Sequence, residues 1–216
     1  MTGAAPALLV FAKEPVAGAV KTRLARTIGP ERAMRVYSDL LATTLAHAHA
    51  AWRARIVSRL ELWCDGNADA PFVRGIATAF GARRYSQCEG DLGARMSHAI
   101  ADALTRSTPV LLIGSDCPLL DPVRIAEATA ALASHDAVLV PAEDGGYVLI
   151  GVRAAITLAG VRWSTSFALE DTLRCLQDDG LRCATLAAAW DVDDEQGLAR
   201  WDAIRATPAT ASSCRS

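Results

Sequence analysis

Two hydrophobic patterns alternate along the chain. Short segments rich in apolar residues have the length and composition of buried strands, and longer segments repeat an apolar residue every three or four positions, as amphipathic helices do. The first pattern predicts strands at residues 7–12, 56–64, 83–86, 137–141, 147–151 and 181–189, and a further strand that begins at residue 110. The second predicts helices at residues 30–51, 71–80, 123–134 and 167–179, one after residue 93 and one at the carboxyl end.

This alternation predicts an α/β fold with a mainly parallel sheet that is covered by helices. The 216 residues, of which 51% are hydrophobic and 21% charged, are enough for one substantial core. We expect a single domain over residues 1–206. Residues 207–216 are small and polar and predict a disordered tail.

The segment Val110 to Leu120 carries the first candidate for chemistry. Four consecutive apolar residues predict a strand covered on both faces, and the strand delivers Asp116 to its carboxyl end. Ligands of open α/β sheets bind beyond such ends. Asp121 and Pro122 have the pattern of an N-cap and a first helical residue. The alternative for Asp116 is an aspartate that caps a helix or makes a turn.

Charge and targeting signals narrow the class of protein. The 22 basic and 24 acidic residues give a net charge of −2, which does not favour non-specific binding to nucleic acid or membranes. The first apolar run is short and is followed by Lys13, and no stretch approaches the roughly 18 apolar residues that a membrane span needs. The six cysteines show neither a CxxC pair nor zinc-ligand spacing. We therefore expect a cytoplasmic protein with no nucleic-acid partner and no membrane span.

Three cations follow the first strand. Lys13, Lys21 and Arg23 lie within eleven residues, just after the carboxyl end where a phosphate-bearing ligand is expected in this architecture. The glycine spacing of a GxGxxG fingerprint or a P-loop is absent. The alternative is a solvated basic loop.

Three further loops offer candidates, each with a simpler alternative. Arg95 lies in the first turn of a helix, where a cation opposes the helix dipole, so a ligand or an acidic partner is expected, while Asp91 could simply cap that helix. The acidic double-glycine loop at residues 142–146 would let backbone approach a ligand closely, although it could be a simple hairpin turn. Asp193 belongs to an acidic run that could cap the last helix, and Ser164 or Ser166 is a plausible cap for the helix at 167–179.

If these carboxyl ends share one sheet edge, cations and carboxylates converge there. Two oxygen ligands together with substrate phosphates are the usual way in which a protein holds Mg²⁺ or Mn²⁺. The sequence therefore predicts chemistry on a nucleoside diphosphate or triphosphate. It shows no serine nucleophile elbow, no supported Cys–His pair and no zinc set.

Taken together, these motifs resemble a known family. The resemblance runs from Ala7 to about Arg205 and is carried by residues 11–15, 18, 20–24, 90–96, 113–118, 144–147, 163–165 and 191–193. The chain resembles the short bacterial transferases described as arsenosugar-type or radical-SAM/selenodomain-associated glycosyltransferases, within the nucleotide-diphospho-sugar transferase superfamily. It departs from their pattern at Ala17, where a proline is usual, and at Ser115-Asp116-Cys117, which is not a full Asp-x-Asp.

The resemblance implies a glycosyltransferase-A type fold. This is a three-layer α/β/α arrangement around a seven-stranded, mostly parallel sheet with one antiparallel strand. It also implies a metal-dependent transferase that moves a glycosyl group from a nucleoside-diphosphate sugar to a small-molecule acceptor, with Mg²⁺ or Mn²⁺ as the cofactor. The main alternative is a nucleotidyltransferase that joins a nucleoside triphosphate to a phosphorylated small molecule and releases pyrophosphate. A third possibility is a non-catalytic nucleotide-binding regulator.

The same resemblance assigns expected roles to individual residues. Asp116 and Asp193 would be the metal ligands, and Asp116 and Asp144 the catalytic carboxylates. The expected substrate-binding residues are Lys13, Lys21, Arg23, Asp91, Leu92, Gly93, Arg95, Gly145, Gly146 and Trp163.

Overall fold

A computed structural model describes residues 4–206 and shows seven strands alternating with seven helices. The strands are β1 (Ala7–Lys13), β2 (Arg59–Asp65), β3 (Arg83–Ser86), β4 (Val110–Ile113), β5 (Ala137–Pro141), β6 (Tyr147–Val152) and β7 (Cys183–Thr185). The helices are α1 (Thr22–Ile28), α2 (Pro30–Arg53), α3 (Pro71–Ala79), α4 (Leu92–Leu104), α5 (Pro122–Ala131), α6 (Ala168–Asp178) and α7 (Glu195–Ala206).

The strands form one sheet in the order β3-β2-β1-β4-β6-β5-β7. The strand pairs β3–β2, β2–β1, β1–β4 and β5–β7 are parallel, whereas β6 runs antiparallel to both of its neighbours. The predicted sheet with one antiparallel strand is confirmed. The loop after β5 is also the turn of a β5–β6 hairpin, and β5 still ends at the same edge as β1 and β4.

Alternation along β1 explains the three layers. Leu8, Val10 and Ala12 pack on one face of the sheet, with apolar residues of α2, α3 and α5. Ala7, Leu9 and Phe11 pack on the other, with residues of α4 and α6. A smaller cluster joins α1, α2 and α7 through Leu24, Leu40, Trp190, Val192, Leu198 and Trp201.

Two predicted helix caps are confirmed. The Asp121 carboxylate accepts a hydrogen bond from the Arg124 amide at the start of α5, where Pro122 occupies the first turn. Asp91 caps α4 in the same way by accepting from the Ala94 amide. Each aspartate satisfies an amide that the first turn of a helix leaves without a partner.

Other details differ from the sequence prediction. The strand predicted at 56–64 begins at Arg59, because the Ile56 amide donates to Ala51 O and still belongs to the end of α2. The strand predicted at 181–189 is reduced to β7, which pairs only with three residues of β5 at the edge of the sheet. The predicted caps Ser164 and Ser166 are wrong, because Phe167 occupies the N-cap position of α6 without a side-chain cap.

The prediction also missed α1. This helix of seven residues follows the basic loop directly, and Lys21 at its N-cap is in the left-handed region at φ 46°. No described helix is both long enough and apolar enough to cross a membrane. The tail predicted at 207–216 lies outside the described residues.

Candidate functional site

Two adjoining cavities open at the carboxyl ends of the parallel strands. The first cavity has a volume of about 500 Å³ and is lined by residues that follow β1, β2, β3 and β4. The second cavity has a volume of about 650 Å³ and extends over β6 and the segment at residues 163–168. Both volumes suit small-molecule ligands. They share Lys13, Arg23, Asp116 and Asp193 among their lining residues.

A cluster of three carboxylates lies where the cavities meet. Asp116 follows β4, and Asp191 and Asp193 belong to the loop between β7 and α7. Each offers an oxygen, and these oxygens all lie within 4.8 Å of one another. The Lys21 ammonium lies between two of the carboxylates, with Nζ 2.8 Å from Asp116 Oδ2 and 2.6 Å from Asp193 Oδ1. The space between these carboxylates therefore accommodates a cation.

Burial and the neighbouring charges have opposite effects on the pKa of Lys21. The Lys21 side chain is only 4% exposed. Burial alone would lower the pKa of Lys21, but the charges of Asp116 and Asp193 raise it above its usual value, so the side chain is an ammonium. Burial raises the pKa of Asp191 to about 6, and the neighbouring charges of Asp193 and Asp116 act in the same direction. The excess of negative charge favours an additional cation.

Backbone and side-chain contacts hold the cluster in place. The Val192 amide donates to the Asp116 carbonyl at 3.0 Å, which joins the loop after β7 to the end of β4. The Tyr37 hydroxyl, from α2, accepts a hydrogen bond from the Lys13 amide at 2.6 Å and lies 3.1 Å from Ser115 Oγ. Burial raises the pKa of Tyr37 to about 12, so it remains a neutral hydroxyl that connects β1 to β4.

Arg95 lies on the opposite wall of the first cavity and has the acidic partner that its position in the helix predicted. Its guanidinium donates to Asp65 Oδ2 at 2.7 Å and to Gln87 Oε1 at 3.2 Å. Gln87 in turn donates through its amide nitrogen to the Trp63 carbonyl at 3.0 Å. This network connects α4 to the ends of β2 and β3 and presents polar groups to the cavity.

The second cavity combines an apolar wall with acidic groups. Tyr147 and Trp163 meet edge to face with ring centroids 6.2 Å apart. Asp144 lines the same cavity, and one of its oxygens accepts from the Gly146 amide at 2.9 Å. Among the described residues, the other Asp144 oxygen has no hydrogen-bond partner. It is therefore available to a substrate.

Two contacts fix the loop that carries Asp144. Arg200 of α7 makes two hydrogen bonds to the Glu143 carboxylate, at 2.7 and 3.1 Å. Gly145 has φ 90°, and a Cβ atom there would lie 2.3 Å from the Ser166 carbonyl oxygen. Only glycine allows the loop to pack this closely against the segment before α6.

The structure brings most of the predicted site residues to the two cavities. The lining includes Lys13, Lys21, Arg23, Leu92, Arg95, Asp116, Asp144, Gly146, Trp163 and Asp193. The lining does not include Asp91, Gly93 or Gly145. Asp91 caps α4. Gly93 packs against Trp163 so closely that a Cβ atom at residue 93 would lie 2.8 Å from the indole Nε1. Their predicted contacts with substrate, like the other roles, stay predictions.

The lining residues that were not predicted as site residues include Tyr37, Asp65, Gln87 and Asp191. Asp65 directly follows a predicted strand, and that position alone could have identified it. Tyr37 lies on the apolar face of a helix and has the pattern of a core residue.

The neighbouring thiol of Cys117 is no nucleophile, because burial raises its pKa to about 12.

The chain matches one family model and several solved structures. The family model, described as "Uncharacterized protein conserved in bacteria (DUF2064)", matches residues 44–165. No curated protein matches the chain.

One solved structure is similar over almost the whole chain. It is a protein from Desulfovibrio desulfuricans G20 named "putative nucleotide-diphospho-sugar transferase", with 29% identity and a TM-score of 0.80 over 99% of this chain and 92% of that one.

Two further structures are similar in fold. A CMP:2-keto-3-deoxy-manno-octonic acid synthetase complexed with CTP has 12% identity and a TM-score of 0.58, and covers 93% of this chain and 98% of its own. Rv0371C of Mycobacterium tuberculosis H37Rv, in complex with manganese, has 18% identity and a TM-score of 0.53, and covers 93% of this chain and 96% of its own.

Proposed function

The chain belongs to the DUF2064 family, and from that premise we propose that it is a metal-dependent transferase that moves a glycosyl group from a nucleoside-diphosphate sugar to a small-molecule acceptor. At the coarser level it is an enzyme of the transferase class that uses a nucleotide. The observation that carries the proposal is the carboxylate cluster of Asp116, Asp191 and Asp193, at the junction of two cavities of ligand size.

The residues at this junction fit a divalent cation. Carboxylate oxygens are the ligands that Mg²⁺ and Mn²⁺ prefer, and three are available within 4.8 Å of one another. The ammonium of Lys21 already lies between two of them, so a positive charge is accommodated at this point. We propose that Asp116 and Asp193 hold the metal, with Asp191 as a third candidate. A bound metal would neutralise the negative charge that develops on the leaving diphosphate.

The first cavity is the proposed nucleotide site. Lys13 and Arg23 line it beside Asp116, and they would meet the phosphates as fixed positive charges. The Arg95 network with Asp65 and Gln87 lies farther along the same cavity and offers both donors and acceptors to a base or ribose. The sugar would then extend into the second cavity.

The proposed step exchanges one bond at the anomeric carbon for another. A hydroxyl oxygen of the acceptor forms a bond to that carbon, and the bond from the carbon to the diphosphate oxygen breaks. The electron pair of the broken bond leaves with the nucleoside diphosphate. The proton of the acceptor passes to a carboxylate, and we propose Asp144 for this role because it has an oxygen without a hydrogen-bond partner among the described residues.

The test is a binding and product assay. Nucleoside triphosphates and nucleotide sugars are screened by thermal shift with and without Mn²⁺, because a ligand that binds only the native state raises the melting temperature by an amount that grows with the ratio of its concentration to its dissociation constant. We expect a nucleotide sugar with Mn²⁺ to stabilise the protein where the parent triphosphate does not. Mass spectrometry of the reaction with that donor should then detect the free nucleoside diphosphate.

The nucleotidyltransferase alternative gives the opposite result. In that case a triphosphate would stabilise the protein and pyrophosphate would be released. An Asp144→Asn variant separates a catalytic role of Asp144 from a binding role: we expect donor affinity within about twofold of wild type and a rate reduced about 100-fold or more. Stabilisation by no nucleotide at all would contradict the proposal.

A further inference from the structure

The charges in the two cavities are distributed unequally. The first cavity is lined by Lys13, Lys21, Arg23 and Arg95, and the second cavity shares Lys13 and Arg23 with it. In the part of the second cavity that the first does not share, the charged lining residues are Asp144 and Asp191, and no lysine or arginine is present among the described residues that line it. The charged side chains that are specific to this part are therefore carboxylates, and the cations Lys13 and Arg23 lie where the two cavities meet.

Two arginines of the segments that border this part, Arg162 and Arg200, are already paired with carboxylates. The Arg162 guanidinium makes two hydrogen bonds of 2.8 Å to the Asp171 carboxylate and stacks on Phe167 at 4.0 Å. Arg200 is paired with both oxygens of Glu143. Neither is free to balance an anionic group in the second cavity.

The rest of the unshared lining is apolar, with a few hydroxyl groups. Met96 and Leu112 are buried in its wall, and the rings of Tyr147 and Trp163 lie beside them. Among the described residues, the hydroxyl of Ser166 has no hydrogen-bond partner, so it can bond a neutral ligand. Apolar and aromatic walls with a few polar groups are typical of sites for ligands with an apolar body.

We propose that the second cavity binds the acceptor and that this acceptor is a phosphate-free alcohol, neutral or cationic, with an apolar or aromatic body. The inference rests on the proposed function, since it places the nucleotide in the first cavity, where Lys13 and Arg23 face the phosphates. A phosphorylated acceptor would bring at least one negative charge beside Asp144. The cations among the described residues that line this cavity, Lys13 and Arg23, face the nucleotide phosphates in the proposed arrangement, so the added charge would be unfavourable in a partly desolvated site. The lining thus selects against the acceptor that a nucleotidyltransferase would need.

The test uses three probes of the same aromatic body: benzyl alcohol, 2-amino-1-phenylethanol and benzyl phosphate. The protein is first saturated with Mg²⁺, which is diamagnetic, and with the nucleoside diphosphate that stabilises it, and each probe is then titrated with saturation-transfer NMR as the readout. We expect the alcohol and the amino alcohol to bind at least tenfold more tightly than benzyl phosphate. Tighter binding of the phosphate, or no binding of either alcohol, would overturn the inference.

A substitution tests whether benzyl phosphate binds weakly because this part of the second cavity has no cation of its own. Ser166→Lys adds a positive charge beside the second cavity at an exposed side chain, and we expect it to tighten benzyl phosphate about tenfold with nucleotide affinity unchanged. Ala133→Lys is the matched control, since residue 133 is exposed after α5, at the opposite edge of the sheet. If Ser166→Lys fails to fold, Asp144→Asn should weaken the discrimination against the phosphate by removing one negative charge.

The two hypotheses fail in different ways. If no nucleotide stabilises the protein, the proposed function is wrong before any probe is added. Suppose instead that a nucleotide binds, that the wild type binds benzyl phosphate as tightly as the alcohols, and that Ser166→Lys leaves benzyl phosphate binding unchanged. In that case only the acceptor inference is wrong.

Discussion

At the scale of single residues, Lys21 is the side chain with two competing roles. Its ammonium bonds Asp116 and Asp193, the same carboxylates that we propose as metal ligands. A divalent cation and the Lys21 ammonium therefore compete for the same oxygens. Nucleotide phosphates would give the ammonium another partner, so we expect Lys21 to make metal binding depend on the nucleotide.

The Lys21→Met variant tests this competition. Without the ammonium the cluster gains one net negative charge, so we expect Mn²⁺ to bind about tenfold more tightly in the absence of nucleotide, while nucleotide affinity falls about tenfold. Titration of Mn²⁺ followed by electron paramagnetic resonance measures the first effect, and calorimetry measures the second. Because the Asp116 and Asp193 side chains are 33% and 39% exposed, water can solvate them in the variant and the fold should persist.

Arg23→Met is the matched control for Lys21. Arg23 lines both cavities but is exposed and forms no ion pair among the described residues. Its loss should weaken nucleotide binding and leave Mn²⁺ affinity unchanged. Equal Mn²⁺ affinities in Lys21→Met and wild type would show that the ammonium does not compete with the metal.

The role of Tyr37 depends on a single atom, its hydroxyl oxygen. Tyr37→Phe removes the hydroxyl that bonds the Lys13 amide and contacts Ser115, at two strand ends that border the carboxylate cluster. We expect a loss of about 1–3 kcal/mol in the free energy of unfolding, measured by urea denaturation. Tyr85→Phe is the control, because its hydroxyl makes no hydrogen bond among the described residues, and its effect should stay within about 0.5 kcal/mol.

At the scale of elements, the segment that leads into α6 depends on an ion pair. Arg162 donates to Asp171 from its backbone amide and from its guanidinium, at 3.1 and 2.8 Å. These hydrogen bonds lower the pKa of Asp171 from its ordinary value of 3.8. The lowered pKa means that the folded protein binds this proton less readily than the unfolded chain. The contribution to stability is therefore fully present above pH 3.8 and is lost as the pH falls through the folded value.

Asp171→Asn should therefore affect stability in a pH-dependent way. We expect the melting temperature to fall by several degrees at pH 7, and the difference from wild type to narrow as the pH decreases below 4. Glu170→Gln, at an exposed neighbour in the same helical turn, is the control and should change the melting temperature little at either pH. If the difference in melting temperature between Asp171→Asn and wild type stayed constant from pH 7 to below pH 4, the charge of Asp171 would not be what stabilises this segment.

Elements could be predicted from the sequence where the local signal and the tertiary environment agree. Asp121 before Pro122 is a strong local signal for a helix start, and the structure confirms it. The helix α1 has no such signal, because its N-cap is Lys21, which is in a left-handed conformation and makes no side-chain cap. The length of β7 also depends on tertiary pairing: three of its residues pair with β5, and the parallel pairing resumes only as an isolated bridge between Ala142 and Ala189.

The site could be predicted in part for the same reason. The carboxyl ends of parallel strands locate Asp116 and Lys13 without knowledge of the structure, because both directly follow predicted strands. The contact between Lys21 and Asp193 joins residues that are 172 positions apart, and no local pattern encodes it. Nor could the sequence indicate that Gly93 is required by the indole of Trp163, because that constraint comes from packing.

At the scale of the whole molecule, β6 connects the two halves of the sheet. It lies between β4, which ends in the loop of Asp116, and β5, which ends in the loop of Asp144. Its position brings the two loops to the same edge, so the geometry of the site depends on the packing of this strand. Gly151 of β6 packs closely against both neighbouring strands: a Cβ atom there would lie 2.5 Å from Leu111 Cδ2 and 2.7 Å from Val138 Cγ1.

Gly151→Ala therefore tests whether the chain unfolds as the single domain that the sequence predicts. We expect a loss of about 1–3 kcal/mol, because the added methyl group must displace side chains from both neighbouring strands. Gly75→Ala is the matched control: Gly75 lies within α3 with no atom within 4 Å of the added Cβ, so the same change should stabilise the protein by about 0.5–1 kcal/mol.

The unfolding curves of Gly151→Ala and wild type show whether the chain unfolds as one unit. Because one continuous sheet joins both halves through β6, tryptophan fluorescence and far-ultraviolet circular dichroism should give the same midpoint in Gly151→Ala and in wild type. Two separate midpoints in the variant would mean that the half with β1–β4 and the half with β5 and β7 fold independently. Coincident midpoints would mean that the sheet unfolds as one cooperative unit, so that the strand ends before Asp116 and Asp144 belong to the same folded unit.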